Sequence, residues 1–150
     1  MMKRKKGFTL IELLAVIVIL TLIAVIVVPV VFGIIDDARM GGFKDSAYGI
    51  IKAAEFNYSW DLMEKKTPEI VTYTYTNGVE TVDPTDRNKL DYKGDKPKSG
   101  TVSVNAEGEI ALAITDGSHC ATKGFNDDEV SVKKMEEDKK CECNDINTEE

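Results

Sequence analysis

A single histidine, His119, occurs in the 150 residues, with three cysteines, four prolines and one tryptophan. One histidine removes most imidazole-based metal sites and catalytic triads from consideration, because both need His beside further ligands or a positioned acid. A glycine-rich phosphate loop, an HExxH helix and a G-x-S-x-G elbow are all missing, so no motif for phosphoryl transfer, zinc proteolysis or serine hydrolysis is present. The sequence therefore offers no catalytic residue and no cofactor, and the expectation is a protein that is not an enzyme. Positive charge is also scarce: 19 Lys and Arg stand against 26 Asp and Glu, for a net charge of −7. Lys3, Arg4, Lys5 and Lys6 supply four of those cations, and taking away residues 1–7 leaves −11 on the side chains. So acidic a remainder is poorly suited to nucleic acid, whose sequence-independent binding runs on Lys and Arg against phosphate. The acidic groups Asp83/Asp86 and Asp127/Asp128/Glu129 lack the spacing of an EF-hand and read as solvated faces, not as a calcium site. Cys120, Cys141 and Cys143 without histidine make a poor set for a soft metal. No metal is expected.

Charge is missing altogether from one long stretch. Phe8 to Phe32 carries a single charged side chain, Glu12, and two other polar ones, Thr9 and Thr21. Twenty-five residues reach roughly 37 Å as a helix, enough to cross a bilayer core. Lipid offers the backbone no hydrogen-bond partners, so the run should be helical. The cations of Lys3 to Lys6 should hold the N-terminus on the cytoplasmic side and send the rest of the chain outward. A secretory signal would have a shorter apolar core with a small-residue cleavage site after it, whereas Gly7 lies before the run. Inside the run, the carboxylate of Glu12 needs a partner at membrane depth. Pro29 removes a helical N–H and crowds the carbonyl of Val25, which loosens the helix there.

Lys6-Gly7-Phe8-Thr9-Leu10-Ile11-Glu12 and the apolar helix after it resemble the N-terminus of type IV pilins and the related pseudopilins. Over roughly residues 1–60 the resemblance implies a leader (1–7) cut by a prepilin peptidase between Gly7 and Phe8, with N-methylation of the new Phe8 amine. It assigns Glu12 and Pro29 to assembly, Glu12 as the charge that meets the Phe8 amine of an adjacent copy and Pro29 as the helix-loosening proline. The implied partners are the peptidase, other copies of the chain, minor pilins, the cytoplasmic membrane before assembly and the pilus assembly platform. The implied localisation is a single-pass protein of the cytoplasmic membrane that ends in a cell-surface filament. Neither the motif nor its spacing separates a pilus subunit from a pseudopilin or minor pilin of a type II secretion or competence DNA-uptake system.

Past the apolar run (8–32), residues 33–66 read as the amphipathic half of the same helix. Phe43, Ala47, Ile50, Ile51, Ala54, Tyr58 and Leu62 recur at three- and four-residue steps and should form one apolar face, with Asp61 off it. Gly33 and Gly41 are expected to bend the helix, and Thr67-Pro68 to follow its end. An aromatic cluster, Phe56, Tyr58 and Trp60, should pack in the core or against neighbouring subunits. Ile70 to Thr76 alternates and ends at Asn77-Gly78, a type I′ hairpin signal with Val79 to Val82 returning. That hairpin, in the connecting region 67–100, is expected as an insert, followed by a polar loop to Lys98. The segment 101–150 reads as an antiparallel meander with one wet and one dry face, strands near 101–105, 109–115 and 118–123, and an acidic tail. Val130, Val132 and Met135 would add a last edge strand. The fold class is thus α+β, a long N-terminal helix on a small antiparallel sheet, which is also the architecture that the resemblance implies.

An odd number of cysteines beyond the anchor leaves one free or paired between chains. In the chain-entropy model, bridging Cys120 to the tail is worth about 3 kcal/mol, and a Cys141–Cys143 ring far less. Loop entropy hardly distinguishes Cys141 from Cys143 as the partner of Cys120; Cys141 is marginally preferred. That many pilins staple their C-terminal region supports the bridge by resemblance.

Overall fold

The computed structural model describes residues 7–135 and residue 141. They divide into two compact units, one ending at Ala38 and the other beginning at Arg39. One helix, α1 (Leu10–Met63), contributes to both. In the first unit it is apolar all round, and every large apolar side chain from Leu10 to Ile35 is between 41% and 87% exposed. It is long and apolar enough to cross a membrane. Pro29 sits inside it, and the helix continues through Pro29, Gly33, Gly41 and Gly42 without interruption. The glycines thus end no helical segment. Each costs only about 1 kcal/mol relative to alanine, too little to break a helix between strong helix formers.

In the second unit the last turns of α1 lie on one six-stranded antiparallel sheet. Its strands are β1 (Val71–Thr76), β2 (Val79–Asp83), β3 (Ser99–Val104), β4 (Ile110–Thr115), β5 (His119–Lys123) and β6 (Ser131–Lys134), in the order β2-β1-β3-β4-β5-β6. This is the α+β, pilin-like arrangement. Asn77 and Gly78, both at positive φ (52° and 78°), make the tight β1–β2 turn, the backbone that a type I′ turn demands. The hairpin is no insert, however. β1 pairs along its whole length with β3, from Val71↔Val104 to Thr76↔Ser99, so hairpin and meander form a single sheet. A loop of regular turns is all that separates them in sequence, and β3 is long enough to cover β1.

The helix buries Ala47, Ile50, Ile51, Ala53 and Ala54 against Val71, Tyr73, Tyr75, Val102, Val104, Ile110, Leu112 and Ile114. Two residues depart from the expected helix face. Leu62 is 45% exposed, whereas Asp61 is buried, together with Asn57. The reason is a polar loop packed under the last turns. Asn57 Nδ2 donates to the carbonyls of Asn88 (3.0 Å) and Lys89 (3.2 Å), and Arg87 Nη1 lies 3.4 Å from Asp61 Oδ2. The Leu90 N–H donates to Glu80 Oε1 at 2.7 Å. Residues 84–98 thus pack against the helix and sheet with no ladder of their own, through these bonds to Asn57, Asp61 and Glu80.

The aromatic cluster splits. Tyr58 turns inward, its hydroxyl donating to the Ala106 carbonyl (2.9 Å) and its ring filling the space over Gly108, which has φ +87° and no room for a Cβ. Phe56 and Trp60 stay outside. The far face of the sheet is not uniformly wet either: all six residues of β4 are buried. Ala111 and Ala113 are small and sit between Ser103 and Thr101 on β3, and Thr122 on β5, by register.

Candidate functional site

Two places carry the chemistry, one in each unit. The first is the start of α1. Gly7 and Phe8 precede the helix and are exposed, Phe8 at 87%. Thr9 is the N-cap and Glu12 the third helical residue. The Thr9 N–H and hydroxyl both donate to Glu12 Oε2, at 2.8 and 2.7 Å, and the Glu12 N–H returns a bond to Thr9 Oγ1 at 3.3 Å. This is a capping box, which satisfies two of the donors that every helix start leaves without partners. The Thr-x-x-Glu spacing before an apolar run is its sequence signal, which a reading fixed on the charge of Glu12 passes over. Glu12 therefore has a partner within its own chain. Its carboxylate also lies at the positive end of the helix dipole, four residues along from Phe8, where a cut after Gly7 would create an amine. Pro29 lies about two-thirds of the way along the first unit's helix and contacts nothing that closes over it.

The second place is a cleft in the globular unit, about 420 Å³, walled by Arg39, Gly42 and Phe43 of α1, Lys96 of the long loop, and Asp116 and His119. His119, only 2% exposed, sets its ring 6.5 Å from that of Phe43 and its Nδ1 3.0 Å from Asp116 Oδ2. Asp116 Oδ1 accepts the N–H groups of Ser118 (2.7 Å) and His119 (2.6 Å). Partial burial works to raise the pKa of Asp116, but the bonds from the His119 ring and from the two backbone N–H groups outweigh it and hold the carboxyl below its usual value. Sequence alone could not place this cleft, because its walls come from three segments far apart in the chain.

Cys120 and Cys141 are bridged, with their Cα atoms 5.4 Å apart, and Cys141 Sγ lies 3.1 Å from the Ile114 carbonyl oxygen. Cys143 lies outside the described residues. The acidic groups are dispersed: Asp86 lies 3.8 Å from Arg87, Asp127 accepts the Gly124 N–H and Glu129 meets Lys44 at 3.6 Å on the surface. Among the described residues no three His, Cys, Asp or Glu side chains come together as a metal set.

Comparison with known proteins adds one match. Residues 2–28 fit the family model of the prokaryotic N-terminal methylation motif. No curated protein and no solved structure matches the chain. The match covers the Gly7–Phe8 junction, Glu12 and most of the apolar helix, and its described residues include the capped, uncovered helix start. The chain thus carries the N-terminal motif of type IV prepilins, on the helix of an α+β, pilin-like fold.

Proposed function

We propose that the chain is a structural subunit of a type IV pilus-like filament, processed by a prepilin peptidase between Gly7 and Phe8, methylated on the Phe8 amine and polymerised through its apolar helix. The observation that carries this reading is the surface of the first unit. From Phe8 to Ile35 the large apolar side chains are uncovered, and an apolar surface of that extent needs lipid or other copies of the same helix around it. Lipid meets the need before assembly, with the N-terminus in the cytoplasm, and neighbouring copies meet it afterwards, outside the cell. Chemistry at a reaction centre plays no part in this role.

Mass spectrometry of the protein from its native host, with immunogold imaging by an antibody to residues 67–150, tests the reading. The expected result is a chain that begins at a methylated Phe8 and labels long surface fibres. A chain that still begins at Met1, or is cut after residue 20, overturns it. Correct processing without long fibres, together with a secretion or DNA-uptake defect on deletion, points instead to a pseudopilin or minor pilin.

A further inference from the structure

The outer side of α1 in the globular unit has two features that nothing in the single chain explains. Along one flank of the helix, Gly42, Gly49, Phe56 and Met63 recur every seven residues, joined by Trp60 one turn past Phe56. Phe56, Trp60 and Met63 are 65%, 44% and 76% exposed, and the two rings stack with centroids 6.3 Å apart. Aromatic residues and methionine are enriched in the buried centres of protein interfaces, and an exposed ridge of them marks such a surface. At the other end of the same face, a Cβ added to Gly41 or Gly42 would meet nothing within 4 Å. Two adjacent glycines weaken the helix and gain no contact in return within the chain. Gly42 lines the cleft beside Arg39, Phe43 and Lys96, where a side chain would narrow it.

We propose that the Phe56–Trp60 ridge of one copy of the chain seats in the Gly42 cleft of a second copy. The inference rests on the filament reading and names a contact within it. At about 420 Å³ the cleft is of the size that proteins use to enclose small ligands, about 300–1,000 Å³, and so admits an aromatic pair. Its floor offers the Phe43 ring, edge or face, to an incoming ring. Charge agrees as well. Glu55 and Glu64 lie near the ridge; Glu64 Oε1 already accepts the Trp60 Nε1–H at 2.9 Å and its Oε2 pairs with Lys66 at 3.1 Å, which leaves Glu55 as the carboxylate offered to the cleft. Arg39 and Lys96 stand at the cleft, where they can meet that carboxylate or lie over the indole face. Asp116 is taken up by His119, and Asp95, the other carboxylate at the cleft, has its opposite in Lys52, one turn before Phe56. Made one way only, from the ridge of one copy to the cleft of the next, the contact is head-to-tail and propagates through successive copies, as a filament requires; made reciprocally it would close a two-fold dimer.

The test places the photoreactive residue p-benzoylphenylalanine at position 56 of the full chain in its native host, irradiates whole cells, and maps cross-linked peptides by mass spectrometry. The expected product joins position 56 to residues 39–46, 95–96 or 116–119 of a second copy. A cross-link to another part of a second copy, a cross-link to a different protein, or irradiated chain that stays monomeric overturns the proposal. The cross-link is read whether or not fibres form, so a wild-type protein that makes no fibres fails the filament reading and leaves this result to decide the contact. Two substitutions give a second readout. Trp60→Ala removes exposed surface, and Gly42→Leu grows into open space, so both should keep normal subunit levels and the Cys120–Cys141 bridge. Each is expected to lower fibre yield about tenfold, the range of an interface hot spot; wild-type yield from both overturns the contact.

Discussion

Two roles compete for the carboxylate of Glu12. Within its own chain it closes the capping box with Thr9; in a filament, the reading above gives it the Phe8 amine of a neighbour. Substitution separates the two. Glu12→Gln keeps an oxygen that can accept from the Thr9 N–H, and so keeps the cap while removing the charge. Thr9→Ala keeps the charge and removes the side-chain half of the cap. If charge pairing drives assembly, Glu12→Gln should abolish fibres while leaving membrane insertion intact, and Thr9→Ala should leave fibre yield within about twofold of wild type. Fibre counts by electron microscopy, normalised to membrane-held subunit, decide it; the reverse ranking would make Glu12 a cap and nothing more. Asp116 gives a second residue-scale expectation. Its hydrogen bonds to His119 and Ser118 hold its folded pKa below the unfolded value of about 3.8. A depressed carboxyl stabilises the fold above the unfolded pKa, and that contribution fades as pH falls through the lower, folded one. Thermal melts of the full chain in detergent should therefore lose stability as pH drops below about 4, and Asp116→Asn should flatten that acid limb while lowering the melting temperature at neutral pH. An unchanged acid limb in the variant would mean that other carboxylates set it.

At the scale of elements, α1 shows what a pattern of residues can reveal and what it cannot. Its apolar half, its continuation into an amphipathic half and all six strands were legible, because each is written in a local period: unbroken apolarity, three- and four-residue steps, or alternation closed by Asn77-Gly78. The pairing of β1 with β3 was not, since antiparallel partners 23 to 33 residues apart leave no local mark and a hairpin reads the same whether it stands alone or joins a sheet. Nor was the inward turn of Asp61, whose burial depends on Arg87 arriving from a loop. A charge seen alone belongs outside; a charge with a hydrogen-bonded counterion can go in. That Gly33 and Gly41 do not end the helix follows from the cooperativity of a long helix, which outweighs the local cost of each glycine. Pro29 tests that same balance. It removes one backbone bond, to the Val25 carbonyl, without ending the helix. Pro29→Ala restores the bond, and hydrogen exchange of the amides just after position 29, measured in detergent micelles, should slow by about tenfold or more, since each 1.4 kcal/mol of local opening free energy is tenfold. Equal exchange in the two proteins would show that the proline does not loosen the segment.

On the scale of the whole molecule, the division at Ala38 and Arg39 separates two kinds of stability. Among its described residues the first unit buries none, and its apolar surface needs a partner around it. The second holds the hydrophobic core of the described residues, whose buried members run from Ala47 to Val130, and should fold without the first. Residues 39–150 expressed in an oxidising compartment are therefore expected to give a soluble protein with a cooperative melt. What fastens the far end of that unit is the Cys120–Cys141 bridge, which ties residue 141 to β5, next to the edge strand β6. The bridge closes a loop with a sequence separation of 21, and in the chain-entropy model its removal costs about 3 kcal/mol. In a domain of about 100 residues, each kcal/mol shifts the melting temperature by roughly 4–8 °C, so the Cys120→Ser, Cys141→Ser double variant should melt at least 10 °C lower. The pairing itself can be tested in the same experiment. If Cys141 is the natural partner, replacing Cys143 alone leaves the melt unchanged and replacing Cys141 alone lowers it. A loss of stability from Cys143→Ser, with Cys141→Ser silent, would move the bridge to Cys143, and equal losses from both would mean that the two cysteines exchange as partners of Cys120.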